Sequence, residues 1–235
     1  MPKHVFFIIA ILFAGATAVP VHANDTSRML LQACLKKAKD APDMAAADAE
    51  KWVKEKGGKP AILCRATAQF NRGEYPKAAD DFSALAVDEK DAMHAALLHS
   101  QAALAYARAP NFDKSEEQYG KALALETQDP NIWVGRANMR AAGQNYWEAI
   151  ADLNKALDIM PDMAEALKLR GQVWFKLGLD TNAAVDFKHA AEIQAEEDVS
   201  RIKASRKISS TKKLAEDGSK ILRRNKGVVV SGTPN

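Results

Sequence analysis

From about residue 27 to residue 196, small and apolar residues return every three or four positions, so the chain reads as a run of short amphipathic helices. The clearest stretch is Asn131 to Pro161. Asp129-Pro130 opens a helix over about 131–142, where a proline suits the first turn. Gly143-Gln144-Asn145 supplies a turn, and a second helix over about 146–159 stops before Pro161. Small residues stand where the two helices must touch: Ala137 in the first, Ala149 and Ala156 in the second. Trp133, Tyr146, Leu153 and Ile159 are large enough to fill the spaces between them.

The same pattern recurs along the chain. Moving 34 residues on from Trp133, Ala137, Arg140, Ala149, Leu153 and Ala156 reaches Leu167, Gly171, Trp174, Ala183, Phe187 and Ala190. Moving 34 back reaches His99, Ala103, Tyr106, Ser115, Tyr119 and Ala122, and a further shift of 37 reaches Ile62, Ala66, Gln69, Ala78, Phe82 and Leu85. Small slots stay small and large slots stay large, with a few polar entries. The register resembles the tetratricopeptide repeat, a helix–turn–helix of about 34 residues. The resemblance implies an all-α fold, a right-handed α-solenoid of four repeats, at about 59–90, 91–128, 129–162 and 163–196. Each repeat of a solenoid touches only its neighbours, so the core is a ribbon without a single centre.

Outside the repeats the two ends differ in character. Residues 1–23 have the form of a secretory leader: Lys3, an apolar run from Val5 to Ala14, and a small-residue site at Val21-His22-Ala23 that leaves Asn24 first. An uncleaved anchor is the alternative, but the apolar stretch is short of the roughly 20 residues that span a bilayer. Residues 24–58 form a helical hairpin off the repeat spacing, an N-terminal cap. Asp25, Thr26 or Ser27 caps a helix over about 27–39, Pro42-Asp43 opens another that ends at Gly57-Gly58, and Trp52 is its expected buried anchor. The two cysteines are Cys34 in this hairpin and Cys64 in the first repeat. In an exported chain an even cysteine count points to a Cys34–Cys64 disulfide. Closing a loop of about 30 residues contributes roughly 3–4 kcal/mol in the chain-entropy model. Two buried thiols are the other reading.

Composition adds one asymmetry. With 47% hydrophobic and 27% charged residues the chain is of the globular kind, and its net charge is only +3. Yet residues 24–197 carry about −5 and residues 198–235 about +7. Val199, Ile202 and Ala204 can extend the last helix. Beyond Ser209 the Ser, Thr, Lys and Gly content points to a disordered basic tail. The segment 197–235 is either solvated or meets an anionic envelope surface. It lacks the aromatic residues that stack on single-stranded nucleic acid, and nucleic acid is not the expected partner outside the cytosol.

Little in the sequence carries catalysis. There is no phosphate loop, GxSxG or HExxH. His94, His99 and His189 have no partners at metal-ligand spacing, so neither cofactor nor metal is expected. Asp80-Asp81 and Glu116-Glu117 fall on second helices and read as a solvated face. The resemblance instead directs attention to the concave face formed by the first helices. Its positions are Leu63, Thr67, Phe70 and Asn71, then Ser100, Leu104 and Arg108, then Val134, Asn138 and Ala141, and lastly Lys168, Gln172, Phe175 and Lys176. Of these, Thr67, Asn71, Arg108, Asn138, Lys168, Gln172 and Lys176 are the candidate contacts for a partner peptide or helix. The family's carboxylate clamp is only partly matched: Asn138 precedes Lys168 by one repeat, but Thr67 and Leu104 fill the earlier slots. The expected function is a non-catalytic scaffold or adaptor, periplasmic or secreted. The alternative is an accessory regulator of a cell-envelope enzyme or assembly machine.

Overall fold

The computed structural model describes the backbone of residues 23–226, and side chains from Asp25 to Arg206 and at Glu216. The expected leader up to His22 lies outside the described residues. Every regular element among them is an α-helix, and no described helix is long and apolar enough to cross a membrane. The chain divides into two compact units, one ending at Glu74 and one beginning at Tyr75.

The first unit holds α1 (Ala23–Asp40), α2 (Pro42–Lys54) and α3 (Gly58–Asn71), with Pro42 in the first turn of α2. Its core is built from small side chains, Ala38, Ala45, Ala46 and Ala68, which let the three backbones approach closely. Cys34 of α1 and Cys64 of α3 form a disulfide, with their Cα atoms 5.9 Å apart. Lys37 and Asp48 tie α1 to α2 at 2.6 Å. The Asn71 amide donates to the Ala38 carbonyl at 2.8 Å, tying α3 to α1. Trp52 is half-buried where full burial was expected. Its indole lies against Gly57, where any Cβ would overlap the ring.

The second unit is a run of helices in which each packs on its chain neighbours: α4 (Tyr75–Val87), α5 (Ala92–Arg108), α6 (Phe112–Leu125), α7 (Pro130–Ala142), α8 (Tyr146–Ile159), α9 (Ala164–Lys176) and α10 (Asp180–Lys226). The first helices also touch one another, α5 with α7 and α7 with α9. Local chemistry sets the starts. Asp91 accepts the His94 N–H at 2.9 Å, Asn111 the Lys114 N–H at 3.3 Å, and Asp129 the Asn131 N–H at 2.9 Å. Ala137, Ala149 and Ala156 are fully buried between helices, and Leu153 fills the space beside them. Gly171 takes the equivalent slot against Phe187, whose ring would stand 2.8 Å from an added Cβ.

One feature adds detail to the sequence reading and one departs from it. The turn after α7 places its left-handed residue at Gln144, with φ of 65°, where the next repeat has Gly178 at 73°. And α10 continues past Ser209 to Lys226, so the tail expected to be disordered from there is helical over this span. Its Lys, Arg, Ala, Glu and Leu content is that of a good helix former, which outweighs the scattered Ser and Thr.

Candidate functional site

Two arginines of α7, Arg136 and Arg140, are fixed by charge. Arg136 binds Asp152 of α8 through two hydrogen bonds, Nε–H at 2.9 Å and Nη2–H at 2.7 Å. Arg140 donates to the same carboxylate at 2.8 Å and turns its other edge to Glu116 of α6. Arg136 also stacks over the Trp133 ring, 5.0 Å from its centroid. Asp152 is buried, so this network fixes α7 between its neighbours. Burial alone would lower the Arg140 guanidinium pKa, but Glu116 and Asp152 outweigh it and raise it. One repeat on, Arg170 repeats the arrangement with Asp186 through two bonds of 2.8 Å.

The expected solvated face of carboxylates is only partly that. Glu117 is exposed and pairs with Lys121, which lowers its pKa. Glu116, however, joins α6 to α7, and Asp80 accepts the Tyr106 hydroxyl at 2.7 Å. Burial first, then Asp80, raises the Tyr106 pKa. His99 is a buried packing residue, hydrogen-bonded to Gln118 at 2.7 Å.

With α7 held in this way, its remaining face opens on a depression of about 710 Å³ lined by three successive first helices. From α5 come Leu97, Ser100, Leu104 and Arg108; from α7 come Asn131, Val134, Gly135 and Asn138; from α9 come Glu165, Lys168, Leu169 and Gln172. The structure therefore brings together Arg108, Asn138, Lys168 and Gln172, four of the candidate contacts. All four are exposed. Their side chains make no hydrogen bond or ion pair with another described residue. Lys176 is exposed at the end of α9 and is not part of the lining. Thr67 and Asn71 belong to the first unit, where the Thr67 hydroxyl donates to Leu63 of its own helix and Asn71 is engaged with Ala38. The floor of the depression includes Tyr119 of α6, which was not among the expected contacts. Burial pushes its phenol well above the ordinary range, with Arg108 opposing.

No protein-family model matches the chain, and no curated protein matches it in sequence. Solved structures do match in shape. A crystal structure of MamA is 17% identical, covers 76% of this chain and 98% of its own length, and superposes with a TM-score of 0.59. MamA from Desulfovibrio magneticus RS-1 is 17% identical, with coverage of 74% and 96% and a TM-score of 0.61. A thermophilic TPR protein of Thermus thermophilus is 17% identical, with coverage of 75% and 96% and a TM-score of 0.57. The fold is that of the tetratricopeptide-repeat solenoids. At these identities the likeness speaks for the fold alone. Arg136 and Arg170 recur one repeat apart, each 16 residues before its aspartate, Asp152 or Asp186. That recurrence was a readable signal that small–large patterning overlooks.

Proposed function

We propose that this protein is a non-catalytic scaffold or adaptor that binds a segment of another protein in the groove of α5, α7 and α9. One observation carries the reading: Arg108, Asn138, Lys168 and Gln172 converge on an open depression and make no bonds to other described residues. Two exposed lysines elsewhere on the repeats, Lys121 and Lys188, sit beside carboxylates of their own helix. Apolar positions between the free groups, Leu97 and Leu104 on α5 and Leu169 on α9, give a bound segment area to cover. Such a mixture of apolar surface and amide donors suits a peptide or a helix. We place the protein outside the cytosol. The leader-like sequence of residues 1–23 supports this, as does the Cys34–Cys64 bond, which persists in oxidising compartments.

The test is kinetic. A partner recovered by affinity capture is immobilised, and the wild type is compared with a variant carrying Asn138→Ala, Lys168→Ala and Gln172→Ala. The expected outcome is a faster dissociation rate with an association rate close to wild type, as for loss of short-range contacts. Unchanged rates would show that another surface makes the contact.

A further inference from the structure

Tyr119 is 1% exposed, yet it lines the groove. The reason is Gly135 on α7: a Cβ there would stand 2.6 Å from the Tyr119 hydroxyl. The missing side chain leaves a gap in the middle helix of the groove, and the phenol of α6 reaches into it. The hydroxyl makes no hydrogen bond to another described residue, so its donor is open to a partner or to water in the groove. The matching slots of the other repeats, Phe82, Leu153 and Phe187, carry no polar atom. The charge beside it is also uncommitted. Of the arginines on α5, α7 and α9, Arg136, Arg140 and Arg170 are bound to carboxylates, and Arg108 is not.

We propose that the Tyr119 hydroxyl, reached through the gap at Gly135, and the Arg108 guanidinium together anchor a side-chain carboxylate, Asp or Glu, of an extended partner segment. This rests on the groove reading above and specifies its specificity-determining contact. A neutral O–H donor and a charged N–H donor match the two oxygens of one carboxylate. Two acids also line the groove. Asp129 is occupied by the Asn131 N–H at the start of α7. Glu165 lies on α9 one turn before Lys168, which leaves Arg108 of α5 as the arginine of the lining. The lining extends from α5 to α9 on both sides of Gly135, so a chain can enter and leave, which favours an internal side chain over a chain terminus. The raised phenol pKa keeps Tyr119 protonated, and so a donor, at neutral pH.

The probe is a random dodecapeptide library displayed on phage and panned on the purified protein. Enriched sequences are resynthesised with amidated C-termini and measured by fluorescence anisotropy. We expect one fixed Asp or Glu position, whose change to Asn or Gln weakens binding about tenfold or more. Tyr119→Phe, which removes only the hydroxyl, should weaken the acidic peptide and leave its amide analogue unchanged; Arg108→Gln should do the same. Peptides released by the Asn138, Lys168 and Gln172 triple substitution, but indifferent to their acid and to Tyr119→Phe, overturn the anchor and leave the groove standing. Peptides insensitive to the triple substitution, or no enriched peptide, overturn both.

Discussion

Asp152→Ala is the substitution by which the physical account of α7 can be judged. The carboxylate is 2% exposed as a residue and accepts three hydrogen bonds, at 2.9, 2.7 and 2.8 Å, from two arginines. Removing one partner of a buried ion pair costs about 3–5 kcal/mol, because charge is left behind without its counter-charge. Here the loss is tempered. Arg140 keeps its two-pronged contact with Glu116, and Arg136 keeps Glu116 at 4.0 Å and the Trp133 ring. The lower end, about 3 kcal/mol, is therefore expected. Urea denaturation followed by tryptophan fluorescence is the assay. It reports mainly the second unit, which holds Trp133, Trp147 and Trp174. With the usual urea slope, the midpoint should fall by about 1–2 M. A companion variant, Asp152→Leu with Arg136→Met and Arg140→Leu, removes all three charges and should recover most of the loss, since matched apolar groups often replace a buried network without penalty. A midpoint lowered by less than about 0.3 M in Asp152→Ala would refute the reasoning, because it corresponds to an exposed rather than a buried pair.

Other outcomes follow from single positions. Gln144→Gly should stabilise the protein by roughly 1 kcal/mol, because a side-chain-bearing residue at φ of 65° is strained where glycine is not; a thermal midpoint raised by about 2–4 °C checks it. Ala149→Leu should destabilise by about 1–3 kcal/mol or more, read by the same melt, because Ala149 is fully buried between helices. Intact mass after alkylation should show thiols at Cys34 and Cys64 only once a reductant has been added; two labelled thiols without it would exclude the bond in the isolated protein.

How much of this was legible depends on what sequence patterning can register. The hairpins were legible because Ala137, Ala149 and Ala156 must be small for backbones to meet, and that demand recurs every 34 residues. The predicted 131–142 and 146–159 helices match Pro130–Ala142 and Tyr146–Ile159 closely. The Cys34–Cys64 pairing was legible because a chain with two cysteines has one possible internal bond. The residues Arg108, Asn138, Lys168 and Gln172 follow from helical periodicity only once the repeat resemblance says that first helices line the concave face. Tyr119 was not legible as a groove residue, because its slot is a core slot in every repeat and only the glycine of the next helix turns it outward. Glu116 and Asp80 were read as solvated because paired carboxylates on a second helix carry no mark of their distant partners. The helix through Lys226 was missed because polarity was weighed above helix propensity, although Lys, Arg and Glu serve both.

The most direct test of the central claim is site-specific photocrosslinking in the native cell. A photoreactive residue is placed singly at Asn138 and Gln172 in the groove, and at Lys121 and Lys155 on exposed faces of second helices. The account predicts that Asn138 and Gln172 crosslink to the same protein and that Lys121 and Lys155 do not. Crosslinking of that protein from Lys121 or Lys155, with none from the groove, would contradict it.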